Sequence, residues 1–166
     1  SALSSGQAVN SRQSSEETEQ QSDVSSPPVT ECDRLAANPA DPQRKAAGVR
    51  FDKIVSGPAS WACEQANRQY PNNPWLTYQL GRVRHHDKNY VAAIALYERA
   101  STLGSKSALA NLAIVYLNGL GVPRDTARAL KMLEDAAAQD NPIAETNLGM
   151  LYAAGNGVGV DEKEAV

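Results

Sequence analysis

Three groups of residues in this sequence have types and spacings that could do chemistry. The first is Gly-x-Gly-Val-x-x-Asp, which occurs twice, as "GLGVPRD" at 119–125 and "GNGVGVD" at 155–161. A glycine-rich turn can aim backbone N–H groups at a phosphate, and a following helix N-terminus favours the anion. The second is His85-His86-Asp87, which offers imidazole and carboxylate groups for metal ligation or proton transfer. The third is the cysteine pair, Cys32 and Cys63, which could supply a nucleophile, two buried thiols or a disulfide.

Each group meets a plainer explanation. A phosphate loop needs a strand before it, but a helical pattern precedes both copies and no Gly-Lys-Ser/Thr follows. The spacing predicts a hairpin elbow instead. Gly119 and Gly155 are placed to end helices in the left-handed conformation, and Gly121 and Gly157 let the chain reverse. Val122 and Val158 then tuck between two helices, and Asp125 and Asp161 cap the helix that follows. Asp161 with Glu164 has capping-box spacing. His85 and His86 diverge by about 100° on a helix and have no identifiable third ligand, so no metal site and no catalytic residue is assigned. They sit at a helix end, where the dipole favours histidine. The cysteines are not spaced as C-x-x-C, and Cys63 lacks a nucleophile signature. Free buried thiols remain one reading. A Cys32–Cys63 disulfide is the expectation, because both lie in short helical patterns flanking one long loop; it would contribute about 3.5–4 kcal/mol and imply an oxidising compartment. The carboxylate pairs Glu16-Glu17 and Glu134-Asp135 fall in a polar tail and on an outward helix face, without an apolar pocket to raise one pKa.

The elements that must position these residues follow from composition and periodicity. The chain has 166 residues and a net charge of −3. Residues 1–30 carry four acids, one base and no aromatic residue, so they hold that whole charge and are expected to be disordered, closed by Pro27-Pro28. The neutral remainder argues against a nucleic-acid partner, and Arg82, Arg84 and Lys88 read as a solvated helix face. No apolar run approaches the ~20 residues of a membrane span. No signal peptide is visible, and the chain opens on Ser1 without a Met, which leaves room for a segment removed upstream.

From residue 31 onward the pattern is helical. Short helices are expected at 31–37, from Pro58 to Tyr70, and at 75–85, 89–103, 107–118, 126–139 and 142–154, with one more entered after Asp161 and cut at Val166. Residues 38–57 read as a long irregular connection. A shift of 36 superposes Ala108 on Ala144, Asn111 on Asn147, Leu112 on Leu148, Tyr116 on Tyr152 and both elbows on each other. A fixed period of this size marks stacked repeats.

Residues 108–137 ("ALANLAIVYLNGLGVPRDTARALKMLEDAA") and 144–165 ("AETNLGMLYAAGNGVGVDEKEA") resemble the Sel-1-like repeat family, with Ala113 standing where that family usually has Gly. Residues 76–103 resemble the related tetratricopeptide repeat through Leu80-Gly81, Ala93, Tyr97 and Ala100. The resemblance implies an all-α fold, a right-handed α-solenoid of helix hairpins. Its parts would be a tail at 1–30, a disulfide-tied helical cap at 31–72, a tetratricopeptide-like hairpin at 73–105 and repeats at 106–140 and 141–166, the last incomplete. It also implies a concave groove lined by the first helix of each hairpin. Gln79, Asn111 and Asn147 occupy the positions that hold a peptide backbone in tetratricopeptide repeats. Arg82 could there meet a carboxylate, with Ile114, Leu117 and Met150 partly exposed, while Tyr116 and Tyr152 belong to the core. The implied function is a non-enzymatic scaffold for a protein or peptide partner, without cofactor, in the periplasm or secreted. The rival is an accessory region of a larger enzyme whose catalytic domain lies outside this chain. Sel-1-like proteins discussed as penicillin-handling enzymes carry a cysteine pair in each repeat, and the repeats here hold none.

Overall fold

The computed structural model describes residues 27–155. Among them are seven α-helices and no strand: α1 Glu31–Ala36, α2 Ser56–Gln69, α3 Pro74–His86, α4 Tyr90–Thr102, α5 Lys106–Asn118, α6 Thr126–Ala137 and α7 Pro142–Ala154. Six of the seven start on a side-chain cap. Thr30, Asn73, Asn89, Ser105, Asp125 and Asn141 each accept a backbone N–H from the first turn, which stabilises each helix by about 1 kcal/mol. The exception, α2, follows Val55 and carries Pro58 in its first turn, where a missing N–H costs nothing.

Consecutive helices pack against each other along the whole series, and first helices also touch across hairpins, α1 on α3 and α5 on α7. Two apolar cores result. One joins the cap to the first hairpin through Ile54, Leu76, Leu80 and Val83. The other runs through the hairpins, with Tyr78, Tyr97, Leu112, Val115 and Leu133 set among eight buried alanines. The small side chains let helices approach closely. Gly81 is the limiting case, since a Cβ there would stand 2.7 Å from the Tyr97 ring.

The expected disulfide is present. Cys32 of α1 is bonded to Cys63 of α2, with both residues fully buried. The elbow after α5 also forms as its residue types require. Gly119 ends α5 at φ 63°, Gly121 follows at φ 69°, half-buried Val122 packs on the core, and Asp125 accepts the Arg128 N–H at 2.9 Å. Gly155 ends α7 at φ 62°. Gly157, Val158, Asp161 and Glu164 lie outside the described residues, as does the expected tail at 1–26.

Two boundaries shift. Residues 27–30, assigned to the tail, belong to the cap. Thr30 and Asp33 form a reciprocal capping box, and the Lys45 ammonium donates to the Pro27 carbonyl at 2.8 Å. The connection 38–57 is more ordered than its composition suggests. It contains a 3-10 turn at Phe51–Lys53 and is tied to the end of α1 by the Val49 N–H, which donates to the Ala37 carbonyl at 2.7 Å.

Candidate ligand cleft

The cap does not merely close the end of the stack; it lies on the first helix of the first hairpin. Asp33 is fully buried and accepts from the Gln79 side-chain amide at 2.9 Å. The Gln79 carbonyl oxygen lies 3.1 Å from the Cys32 sulfur. The Arg82 guanidinium donates to the carbonyls of Ala36 and Val49, the second at 3.1 Å. Gln79 therefore does not project into a groove, contrary to its position in the repeat. Arg82, at 2 % exposure, is a buried clasp rather than a surface cation.

The cap connection then reaches along the stack. Asn38 and Asn111 each donate a side-chain N–H to the Tyr78 hydroxyl at 2.8 Å, joining the connection, α3 and α5 at one atom. Buried Asp41 accepts from the Gln43 N–H and from the Ser107 hydroxyl at 2.9 Å. Ser107 in turn accepts from Asn141, the cap of α7, at 3.3 Å. The Lys106 N–H donates to the Gln43 side chain at 3.2 Å. Burial pushes the Asp41 carboxyl above the usual range, opposed by these donors and by the charge of Arg82.

Between this connection and the hairpins lies a cleft of about 490 Å³. Its cap wall is made by Asn38, Pro39 and Ala40 and by the 3-10 turn with Arg50, Phe51 and Asp52. Arg82 and His85 of α3 lie opposite, and Asn111, Ile114 and Asn118 of α5 with Leu120 of the elbow form the third side. The cleft surface is mainly apolar. Such a volume falls in the range of about 300–1,000 Å³ usual for ligand sites.

His85 is surrounded by rings: Phe51 at 5.0 Å, Tyr90 at 5.8 Å and Tyr97 at 6.1 Å between centroids. Its Nδ1 is 3.3 Å from the Tyr97 hydroxyl. Burial first, then the charges of Arg82 and His86, push its pKa below the ordinary value of 6.5. His86 turns aside to Ser56, 3.1 Å from its hydroxyl. Phe51 packs on His86 as well, at 5.5 Å between centroids, so both imidazoles serve packing, and among the described residues no three His, Cys, Asp or Glu side chains converge. The expected solvated basic face is also corrected. Lys88 is exposed, but Arg82 is buried, and Arg84 is half-buried against Ser60 and Glu64.

Of the residues expected in a groove, Asn111 and Ile114 line the cleft and Arg82 reaches its floor. Asn147 lies half-buried on α7 with its amide turned back to the Ile143 carbonyl, and Met150 is 58 % exposed. Leu117 is half-buried, Tyr116 is in the core under the Arg128 guanidinium, and Tyr152 is half-buried. Sequence reasoning missed Phe51 and His85 as wall residues. One signal was available: Phe51 is the only Phe of the chain and stands in a stretch read as irregular.

The Sel1 repeat family matches residues 77–105, 106–141 and 142–166, so the first hairpin is matched as well as the two repeats with the elbow motif. The chain is similar to a solved Sel1 repeat protein from Oxalobacter formigenes, at 26 % identity and a TM-score of 0.61 over 68 % of this chain and 46 % of that one. It is also similar to a protective antigen present in uropathogenic Escherichia coli strains, which displays an SLR fold. The identity there is 33 % and the TM-score 0.54, over 62 % of this chain and 23 % of the antigen. The chain thus spans less than half the length of either. No curated protein matches it.

Proposed function

The chain belongs to the Sel1 repeat family, and we propose that it is a non-enzymatic binding module that holds a peptide or protein segment in the cleft between cap and repeats. The observation that carries this reading is the cleft itself. Its walls are mainly apolar, its shape is held by the Tyr78 and Asp41 links, and its α5 wall carries Asn111 and Asn118, whose amides each donate one N–H within the protein, to the Tyr78 hydroxyl and the Ile114 carbonyl. An amide has both a donor and an acceptor, the pair a peptide backbone needs. Asn147 and Met150 extend the same first-helix face onto α7. The buried disulfide favours an oxidising compartment, and we place the protein in the periplasm or outside the cell.

The test is selection from random-peptide libraries displayed both with free C-termini and as internal loops, against the protein and an Ile114→Glu variant. Peptides that bind the protein and lose at least about ten-fold in affinity for the variant, at unchanged helix content, support the cleft. A charge buried in an apolar wall has a cost of that size or more. Failure of either library to enrich a binder, or binding that ignores Ile114→Glu, would overturn it.

A further inference from the structure

The cleft leaves both tryptophans of the chain unused, and they flank a separate groove at the cap end of the molecule. We propose that this groove binds an extended, proline-rich segment of a partner protein, with pyrrolidine rings stacked on Trp61, Tyr70 and Trp75. Two cavities, of about 480 and 310 Å³, adjoin there and share Gln69 and Tyr70. Trp75 lines the larger one with the turn that follows α2, and Trp61 and Gln65 of α2 line the smaller. No residue of either cavity lines the cleft.

The aromatic surface comes first. Trp61 is 66 % exposed and belongs to neither apolar core. A single exposed apolar residue means little, but Val29 and Tyr70 adjoin Trp61 around the smaller cavity. Indole and phenol rings in such a patch carry much of the energy of interfaces, because each offers a large apolar face at small entropic cost. Gln65 and Gln69 continue the face of α2 that begins at Trp61, at successive spacings of four. That face runs about 12 Å, the length of about four residues in the polyproline II conformation.

The chain's own prolines already show the mode of contact. Pro27 lines the larger cavity and Pro28 the smaller, so each tryptophan shares its cavity with a proline. The Lys45 ammonium donates to the Pro27 carbonyl at 2.8 Å and lies 4.6 Å from the centroid of the Trp75 ring. Pro28 and Val29 are exposed, so this segment rims the groove without filling it.

The polar groups select the same occupant. Proline has no N–H, so a proline-rich segment offers carbonyl acceptors and few donors. Among the described residues the side chains of Gln65, Gln69 and Tyr70 form no hydrogen bond within the protein and are free to donate. The groove is also nearly uncharged: its one acid, Glu31, pairs with Arg34 at 3.0 Å. An uncharged, acceptor-rich chain of rings satisfies these features together. A sugar also stacks on tryptophan, but its hydroxyls donate as well as accept and are met less fully without a free carboxylate.

Titration calorimetry with decaproline tests the proposal. A saturable heat is expected, and none from a Gly-Ser peptide of the same length, which is a flexible coil. Trp61→Ala should weaken decaproline binding by about ten-fold or more, and Trp61→Phe, which keeps a ring, should retain most of it. Val91→Ala removes an exposed apolar side chain from α4 and should leave the affinity unchanged. No saturable heat at decaproline concentrations up to about 1 mM would overturn the proposal. Equal binding of the Gly-Ser peptide, or decaproline binding that ignores Trp61→Ala, would do the same. Displacement of decaproline by chitohexaose at equal or lower concentration would overturn it in favour of a glycan. None of these outcomes depends on the cleft, which Ile114→Glu tests separately.

Discussion

Removing the disulfide should loosen the cap and, with it, one wall of the cleft. The perturbation is Cys32→Ala combined with Cys63→Ala. The bond closes a loop with a sequence separation of 31 residues, and the chain-entropy relation gives about 3.7 kcal/mol for a loop of that length at 25 °C. Helix α1 has six residues, too few to persist alone, so its place depends on the bond and on the Asp33–Gln79 and Arg82–Ala36 contacts. The two tryptophans of the chain are well placed to report the change: Trp61 lies on α2 and Trp75 on α3. Tryptophan fluorescence therefore follows the cap end, while circular dichroism follows all helices. With a urea slope of about 2 kcal/mol per molar, the fluorescence midpoint should fall by about 2 M. Stacked repeats interact chiefly with their neighbours, so the dichroism midpoint should fall less. A fluorescence shift below about 0.5 M would refute the view that this bond holds the cap in place.

Other positions give equally direct outcomes. Gly121→Val places a Cβ 2.6 Å from Cβ of Tyr90 at a φ of 69°, and should cost about 2–3 kcal/mol in urea unfolding; an unchanged midpoint would remove the elbow explanation. His85 has a pKa below 6.5 in the folded chain, so the unfolded chain takes up its proton first as pH falls. Stability should then decline as pH drops through 6.5 and level off beneath the folded value. His85→Phe keeps a ring against Phe51, Tyr90 and Tyr97, and its unfolding free energy should gain on that of the parent over this range. Parallel stability curves for the two proteins would contradict the assignment.

The features legible in the sequence were the local ones. The start of α6 is marked by Asp125 and the ends of α5 and α7 by Gly119 and Gly155, because a cap is satisfied within a few residues of itself. The 36-residue echo gave the hairpins because each must bury the same stripe. Gln79 and Arg82 were misplaced for the opposite reason. Register put them on an open wall, but the partners that cover them, Asp33 and Ala36, stand 46 residues earlier. No periodicity connects those segments. The end hairpin is also the one place where the repeat logic must fail, since a cap replaces the preceding repeat there. The connection 38–52 was unreadable in the same way. Its order comes from single polar links to Tyr78 and Ser107 rather than from any pattern within it.

The claim that cap and repeats together form the binding site is tested most directly by mapping a selected peptide onto the protein by amide chemical-shift perturbation. The largest changes are expected on both sides of the cleft at once, at Phe51 and neighbouring Asp52 on the cap and at Asn111, Ile114 and Leu120 on the hairpins. Changes confined to the far faces of α4 and α6, with those cleft residues unmoved, would contradict it.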